Sequence, residues 1–153
     1  MIRDELFMEY LTELGQYEEA TKEMTQGERE EFFTEYILDY HTEWLDVYSA
    51  DGQIVGFVII ANSDSVRFCH PSCDYFICQT YIRKPYRDRG LVSRTLKKFF
   101  ANHHGIYGLF IVDNNTPAKA FWSRITEDYE KVVLDKNACN GDVSHLILLG
   151  FRI

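Results

Sequence analysis

Hydrophobic residues recur at helical spacing in two segments near the N-terminus of the chain. Within each segment the apolar positions are separated by one and three residues in turn, which places them on one face of a helix. These positions are Leu6, Phe7, Tyr10, Leu11 and Leu14 in the first segment, and Phe32, Phe33, Tyr36, Ile37 and Tyr40 in the second. The pattern predicts two helices, the first ending near Gly15 and the second following a break at Gly27.

Short runs of β-branched and aromatic residues, separated by turn residues, indicate strands further along the chain. The predicted strands are residues 44–48, 53–61, 74–82, 107–112, 129–134 and 145–153. The first two form a hairpin through Asp51 and Gly52, and the last two are joined by a loop that contains Asn140 and Gly141. With two more helices between the strands, the sequence predicts an α+β fold in one domain over residues 1–153, with six or seven mostly antiparallel strands and about four helices.

The segment from Tyr81 to Val92 joins an apolar strand to a helix through a turn rich in cations. Pro85 ends the strand, because proline has no N–H to donate to a neighbouring strand. After Gly90 the apolar residues return to helical spacing, so a helix begins there. A helix N-terminus carries unpaired N–H groups and a partial positive charge, and glycine has no Cβ to keep a ligand away from them. The turn therefore predicts a binding site for phosphate or pyrophosphate.

A second connection from strand to helix follows residues 107–112. Thr116 suits the position that caps a helix, and Pro117 suits the first helical position. The residues that would form the apolar face of this helix are Ala118, Phe121, Trp122 and Ile125. The pattern predicts a capped helix that packs on the sheet through aromatic side chains.

Residues 82–92 resemble the coenzyme A signature of the GCN5-related N-acetyltransferase (GNAT) superfamily, in which a strand end and a proline precede Arg/Gln-x-x-Gly-x-Gly/Ala. Arg87 and Gly90 occupy the matching positions, and Val92 replaces the usual small residue. Residues 115–122 resemble the next element of the superfamily, Asn-x-x-Ala-x-x-Phe-Tyr; for Phe121 we prefer an ordinary core position. The resemblance implies a GNAT-like fold and assigns the binding of acetyl-CoA to Ile82, Lys84, Arg87, Asp88, Arg89, Gly90, Leu91, Val92, Ser93, Arg94, Asn115, Ala118, Phe121 and Trp122.

The resemblance also implies a reaction, the direct transfer of the acetyl group of acetyl-CoA to a primary amine. The main-chain N–H of Ile82 is then expected to support the thioester carbonyl. In the superfamily the strand that ends here lies parallel to residues 109–112, and the two strands splay apart to admit the cofactor. The candidates for proton transfer are Cys78, Thr80, Tyr81 and an ordered water. Strict alternation along the strand would place Phe76, Cys78 and Thr80 on the face of Ile82.

Two departures from the superfamily pattern leave alternatives open. Trp122 stands where the family often has a tyrosine, and an indole is not a practical acid. The protein could therefore be a catalytically weak or inactive module that binds coenzyme A and serves regulation. Met1, Ile2 and Arg3 leave little room for the family's first strand, which is then very short or missing.

Charge is distributed unevenly within a net charge of −8. Residues 1–47 carry a balance of −11 and residues 48–153 a balance of +3, with seven Lys and Arg residues between positions 83 and 98. Acidic residues on the predicted N-terminal helices are Glu5, Glu9, Glu13, Glu30, Glu31, Glu35 and Asp39. The superfamily places such helices beside the acceptor, which favours a small cationic amine or a lysine side chain; the alternative is an ordinary solvated helix face. The negative balance argues against nucleic acid as a partner.

Cysteine and histidine spacing does not indicate a metal site. Cys69 and Cys73 are further apart than the close pairs of structural zinc, and no second ligand pair follows them, although His70 lies between them. With Cys78 and Cys139 they are expected to be free thiols of a cytoplasmic protein. The apolar runs are too short for a membrane span, and the N-terminus lacks the pattern of a signal peptide. Residues 145–153 could offer an edge for a homodimer.

Overall fold

The computed structural model describes residues 1–38, 42–62, 69–139 and 141–153, without the side chains of residues 36–38. Five α-helices lie in this part of the chain: α1 (Ile2–Leu14), α2 (Glu19–Lys22), α3 (Gln26–Leu38), α4 (Leu91–Phe100) and α5 (Thr116–Thr126). Six strands accompany them: β1 (Thr42–Tyr48), β2 (Ile54–Ala61), β3 (Tyr75–Ile82), β4 (Ile106–Val112), β5 (Glu130–Lys131) and β6 (Leu146–Arg152). Short 3₁₀ turns cover Lys84–Tyr86 and Lys136–Ala138. The α+β class predicted from the sequence is confirmed.

The six strands form one sheet in the order β1-β2-β3-β4-β6-β5. All neighbours in this sheet are antiparallel except β3 and β4, which are parallel, as the resemblance implies. The parallel pairing covers three residue pairs, from Tyr75 opposite Tyr107 to Ile77 opposite Leu109. Both strands continue beyond this point without pairing to each other, so the sheet opens between their C-terminal ends.

A β-bulge in β3 changes which side chains share a face. Ile59 of β2 lies opposite Gln79, whereas Ile60 lies opposite Ile77, so Cys78 is the extra residue on β3. The bulge interrupts the alternation, and the prediction that Phe76 and Cys78 share the face of Ile82 is wrong. The cluster in which Phe76 and Cys78 pack also contains Ala61 and Cys73, whereas Ile77 and Ile82 belong to the main core.

Helices cover both faces of the sheet. On one face α4 and α5 pack over the main core, and the apolar residues predicted for α4 are all buried there: Leu91, Val92, Leu96, Phe99 and Phe100. On the other face α1 packs its buried Leu6, Phe7 and Leu11 against Phe57 and Ile59 of β2. None of the helices in the described ranges has the length and apolar character needed to cross a lipid bilayer.

Several element boundaries differ from the prediction. Helix α1 begins at Ile2, so within the described residues no strand precedes it. The short helix α2 was not predicted, and β5 covers two residues rather than six. Val132 still donates its N–H to the carbonyl oxygen of Gly150 at 3.0 Å, and the chain then leaves the sheet at Val133, which is fully exposed. Of the predicted positions, Asp39, Tyr40, His41 and Asn140 lie outside the described residues.

Candidate functional site

A cleft of about 710 Å³ opens where β3 and β4 separate. Its floor is formed by Thr80, Tyr81 and Ile82 at the end of β3. On one side it is bounded by the turn after β3, the start of α4 and helix α5. On the other side it is bounded by Tyr10, Glu13, Leu14 and Tyr17, which belong to α1 and the turn after it.

The first turn of α4 presents its backbone to the cleft. Gly90 is the N-cap, in a left-handed conformation with φ 72°, and no side chain in the described residues caps the helix. A Cβ built at Gly90 would have no atom within 4 Å, so it would project into open space. The N–H groups of Leu91, Val92 and Ser93 therefore begin a helix whose end is free to bind an anion.

Val92 departs from the small residue of the superfamily pattern. Its side chain is 3% exposed and packs in the main core, so the larger residue is accommodated by the core. Asp88, two residues before the N-cap, also has a positive φ of 62°. This conformation is uncommon for a residue with a Cβ, and it shapes the turn that leads into α4.

The guanidinium of Arg87 is held by neighbours on the α1 side of the cleft. Its Nε donates to the carbonyl oxygen of Ile82 at 2.8 Å, and its Nη2 donates to Oε2 of Glu13 at 2.7 Å. The guanidinium carbon lies 5.7 Å from the ring centroid of Tyr81. These two contacts use two of the five N–H donors of the guanidinium, so a phosphate, as predicted from the sequence, could bind the others or could take Nη2 from Glu13.

The cleft gathers most of the residues that the sequence assigned to the coenzyme. Those that line it are Ile82, Arg87, Asp88, Gly90, Leu91, Val92, Ser93, Asn115, Ala118, Phe121 and Trp122. Lys84, Arg89 and Arg94 are not among the lining residues; Arg89 lies over the ring of Tyr86 at 5.6 Å. Asp88 is 3.8 Å from Arg124 in an exposed ion pair. Lys97 lines the cleft and was not assigned from the sequence.

The residue that caps the N-terminus of α5 lies one position earlier than the sequence predicted. The side chain of Asn115, not that of Thr116, caps the helix by accepting a hydrogen bond from the N–H of Ala118 at 3.2 Å. Phe121 packs against the main core, in agreement with the core position preferred for it. Trp122 is 6% exposed and meets Phe121 edge to face at 5.0 Å between ring centroids.

The backbone at the end of β3 directs a donor into the opening between the strands. The N–H of Arg83 donates to the carbonyl oxygen of Val55 on β2 at 3.0 Å. Because successive peptide groups of a strand point to opposite sides, the N–H of Ile82 points away from β2 and towards the opening. This is the orientation that the predicted role of Ile82 requires.

The three side chains considered for proton transfer lie in different surroundings. Thr80 lines the cleft, and its Oγ1 is buried with no hydrogen-bond partner in the described part of the chain. Tyr81 lines the cleft but donates its hydroxyl to Glu9 at 3.3 Å. Cys78 does not line the cleft, and its thiol lies 3.5 Å from the carbonyl oxygen of Phe76.

Glu9 organises the surface beside Tyr81. Arg83 donates to both carboxylate oxygens of Glu9, at 3.0 and 2.7 Å, and these hydrogen bonds hold the pKa of Glu9 below its usual range. Burial, followed by the charge of Glu9, raises the pKa of Tyr81 to about 12. Tyr81 is therefore a neutral donor to Glu9 at ordinary pH, an arrangement that does not favour it as the proton donor.

A second, more open depression of about 790 Å³ adjoins the cleft on the α1 side. Glu5, Glu9 and Glu13, spaced one turn apart on α1, line it together with Arg83 and Lys84. The cleft and this depression share Glu13 and Tyr81 in their walls.

The resemblance placed the N-terminal helices beside the acceptor, but the sequence did not identify Tyr10, Leu14 and Tyr17 as residues of the cleft. Tyr10, Glu13, Leu14 and Tyr17 follow one another at helical spacing, which was the available signal. Tyr10 and Leu14 were instead assigned to the apolar face of the helix, and Glu13 either to the acceptor or to a solvated face. Tyr10 in fact donates a hydrogen bond to the side chain of Gln79 on β3.

The cysteines and His70 form no part of the cleft. The four cysteines form no disulfide, and the described residues contain no group of His, Cys, Asp and Glu that could hold a metal ion. The buried His70 accepts from the N–H of Ser72 through Nδ1 at 3.1 Å, so its Nε2 donates to the carbonyl oxygen of Asp135 at 2.8 Å. This pattern gives His70 a structural role between two loops.

The sheet, with its parallel pair β3 and β4 and the cleft between them, agrees with the fold that the resemblance implies. A comparison with protein families identifies the family itself. Residues 5–126 match the Acetyltransferase (GNAT) family. The chain belongs to this family. Among curated proteins, no sequence match to the chain was found.

Solved structures with the same fold cover nearly the whole chain. An N-acetyltransferase from Staphylococcus aureus is 14% identical with a TM-score of 0.60, over 98% of this chain and 92% of its own. GCN5 of Tetrahymena is 13% identical with a TM-score of 0.58, over 95% and 88%. A spermidine N-acetyltransferase chimera from Vibrio cholerae and hSSAT is 14% identical with a TM-score of 0.51, over 94% and 89%. At these identities the likeness establishes the fold alone.

Proposed function

We propose that the protein transfers the acetyl group of acetyl-CoA to the primary amine of a small cationic acceptor. The observation that carries the proposal is the cleft between β3 and β4, which runs from the uncapped N-terminus of α4 to the α1 side of the sheet. One end of this cleft suits an anionic coenzyme and the other suits an amine, and the thioester would lie between them beside Thr80 and Ile82.

The residues of the chain fit the coenzyme in three ways. The free N–H groups at the start of α4, together with the left-handed Gly90, suit the pyrophosphate. Ala118, Phe121 and the capped N-terminus of α5 provide an apolar wall for the arm that carries the thiol. Lys97 adds a positive charge at the edge of the cleft, where it would complement the phosphates.

Two groups at the end of β3 suit the reacting thioester. The N–H of Ile82 points into the opening and would donate to the carbonyl oxygen as negative charge develops on it during attack. The carbon–nitrogen bond to the acceptor forms and the carbon–sulfur bond breaks, which leaves a thiolate that must gain a proton. Thr80 has a buried hydroxyl with no partner in the described residues, and we assign it to stabilise that thiolate by donating a hydrogen bond, while the proton itself comes from water in the cleft.

The proton released by the amine needs a second acceptor. No side chain on the floor of the cleft is a carboxylate, so an ordered water that reaches solvent along the cleft is the base we favour. Glu13 is the carboxylate on the α1 side of the cleft, and in the free protein it accepts a hydrogen bond from Arg87.

The acidic surface of α1 supports a cationic acceptor. Glu5, Glu9 and Glu13 line the depression that opens from the cleft, although Arg83 and Arg87 hold two of these carboxylates. Glu5 keeps an exposed side chain, 4.0 Å from Arg83 at its closest. The spermidine N-acetyltransferase chimera shares the fold, and spermidine in its name is an amine of this class.

The second candidate function is coenzyme binding without transfer. Trp122 favours this alternative, because it occupies the position of the family's tyrosine and is buried beside Phe121. If Thr80 stabilises the thiolate and water supplies the proton, Trp122→Tyr leaves the rate of transfer unchanged or raises it. If Trp122→Tyr lowered the rate of transfer as much as Trp122→Ala does, the placement of Trp122 at the position of the family's tyrosine would be contradicted.

The experiment that tests the proposal measures coenzyme binding and acetyl transfer separately. Calorimetry gives the affinity for acetyl-CoA, and release of free thiol in the presence of a panel of amines gives the rate of transfer. Binding together with amine-dependent thiol release supports the enzyme. Binding without release for any amine supports the coenzyme-binding module, and no binding overturns both.

A further inference from the structure

Two ion pairs tie α1 to the segment that follows β3, and they differ in position. Arg83 holds Glu9 at 2.7 Å, and this pair lines the open depression but not the cleft. Arg87 holds Glu13 at 2.7 Å, and both of these residues line the cleft. The second pair thus lies between the part of the cleft that suits the coenzyme and the part that suits the amine.

Arg87 would have a choice of anions once a coenzyme is bound. It lies in the turn that leads to the free N-terminus of α4, where a pyrophosphate is expected. A guanidinium forms strong paired hydrogen bonds with phosphate as well as with carboxylate. The side chains of Arg87 and Glu13 are 32% and 26% exposed, so water weakens their mutual attraction and an exchange of partner is accessible.

We propose that Glu13 is the carboxylate that recognises the cationic acceptor, and that Arg87 covers it until the coenzyme is bound. The inference rests on the proposed function. In the free protein the charge of Glu13 is neutralised by Arg87. A pyrophosphate at α4 draws Arg87 away and leaves Glu13 as an unpaired carboxylate beside Tyr10 and Tyr17.

A carboxylate that loses its partner in a cleft gains affinity for another cation, because an unpaired charge there is costly. The acceptor class that fits is a diamine or polyamine, with one neutral amine at the thioester and a second, charged amine on Glu13. The aromatic rings of Tyr10 and Tyr17 on the same side of the cleft add a surface that favours a cation.

The arrangement makes the two ligands cooperative. If the coenzyme uncovers Glu13, it increases the affinity for a diamine, and by linkage the diamine increases the affinity for the coenzyme by the same factor. This coupling depends on Glu13 and not on the general negative charge of α1, and the second ion pair allows that distinction to be tested.

The test uses calorimetry of coenzyme A, which carries no acetyl group, in the presence and absence of putrescine at matched ionic strength. In the wild type we expect putrescine to tighten binding of coenzyme A by about five-fold or more. In Glu13→Gln this effect disappears, and coenzyme A alone binds about two- to five-fold more tightly than to the wild type, since no carboxylate then competes for Nη2 of Arg87. Glu9→Gln breaks an equivalent ion pair one turn away and is expected to keep the effect of putrescine.

The possible results separate this proposal from the proposed function. Coenzyme A could bind while putrescine either has no effect on the wild type or has the same effect on Glu13→Gln. In both cases the proposed role of Glu13 is overturned, and the proposed acetyltransferase function is unaffected. That role is overturned as well if Glu9→Gln and Glu13→Gln lose the effect equally. If coenzyme A does not bind to the wild type, the proposed function itself fails.

Discussion

Thr80 shows what a single residue can and cannot reveal in a sequence. The sequence placed a threonine on the strand that leads to the cationic turn, and this was correct. It could not show that Oγ1 is buried without a partner among the described residues, because this depends on where β4 turns away from β3. Arg87 is a similar case. Its position in the turn was predicted from the sequence, whereas its bond to Glu13 was not, because the two residues are 74 positions apart.

Replacement of Thr80 is expected to change the rate of acetyl transfer without lowering the free energy of unfolding. We expect Thr80→Val to leave the free energy of unfolding unchanged or to raise it by about 1 kcal/mol, because a buried hydroxyl without a partner is removed. The same substitution is expected to lower kcat for acetyl transfer by about ten-fold or more, the cost of one hydrogen bond to a charged group. Thr80→Ser serves as the control that keeps the hydroxyl. Equal kcat in Thr80→Val and the wild type would remove Thr80 from the mechanism.

Gly90 offers a second prediction, with Gly52 as its matched control. Both glycines have positive φ, 72° and 85°, and a Cβ at either would have no atom within 4 Å. Substitution by alanine should therefore cost each a similar loss of stability, about 1 kcal/mol. We expect only Gly90→Ala to weaken acetyl-CoA binding, by about ten-fold, because its Cβ enters the space in front of α4. Calorimetry of both variants checks this, and equal affinities would contradict the placement of the pyrophosphate.

Among the elements, helices were the more predictable from sequence. The apolar face of α4 and the buried residues Leu6, Phe7 and Leu11 of α1 follow from spacing within one segment. The register of β3 does not, because the bulge at Cys78 depends on how β2 pairs with it. The acidic face of α1 was assigned either to the acceptor or to solvent, and the pairing of two of its carboxylates with arginines from the segment after β3 was not predicted.

The ion pair between α1 and Arg83 gives a pH-dependent stability. Arg83 lowers the pKa of Glu9 from its ordinary value of 4.5, so the folded protein loses this proton at lower pH than the unfolded chain. The stabilisation is therefore complete above pH 4.5 and is lost as pH falls through the lowered pKa. Since the pair is partly exposed, we expect Glu9→Gln to lower the free energy of unfolding by about 0.2–1 kcal/mol at neutral pH.

Denaturant unfolding across pH measures this contribution. The difference between Glu9→Gln and the wild type should shrink as the solution is acidified below pH 4.5. A difference that persists unchanged in acid would show that Glu9 acts through packing and not through its charge.

At the scale of the whole molecule, the sequence shows that charge is unevenly distributed along the chain, whereas the positions of these charges around the cleft depend on the fold. Carboxylates of α1 line one side of the cleft, where Arg83 and Arg87 pair with two of them, and Lys97 and the free N-terminus of α4 lie towards the other side. The cleft crosses between these two regions. The field should therefore attract a cationic acceptor from one side and an anionic coenzyme from the other.

Salt should weaken this effect on the acceptor. We expect kcat/KM for putrescine to fall as ionic strength rises, and to fall less steeply for butylamine, which carries one charge fewer. Screening reaches only about 10 Å at 0.1 M salt, so charges outside the cleft are the first to lose their influence. Thiol release measured over a series of salt concentrations tests this prediction. It would be wrong if the best acceptor were an anion, or if kcat/KM fell with ionic strength at the same slope for both amines.

The short parallel seam between β3 and β4 also has a consequence for the dynamics of the protein. Three residue pairs join one half-sheet, β1-β2-β3, to the other, β4-β6-β5. Apart from the two-residue edge strand β5, the strands within each half are held by longer antiparallel ladders, so the seam is the place inside the sheet that is most easily opened. The amide hydrogens of Thr80 and Ile82 should consequently exchange with deuterium as fast as those of an outer strand, although β3 lies in the middle of the sheet. A ligand that bridges the two halves should slow that exchange and raise the cooperativity with which the halves unfold.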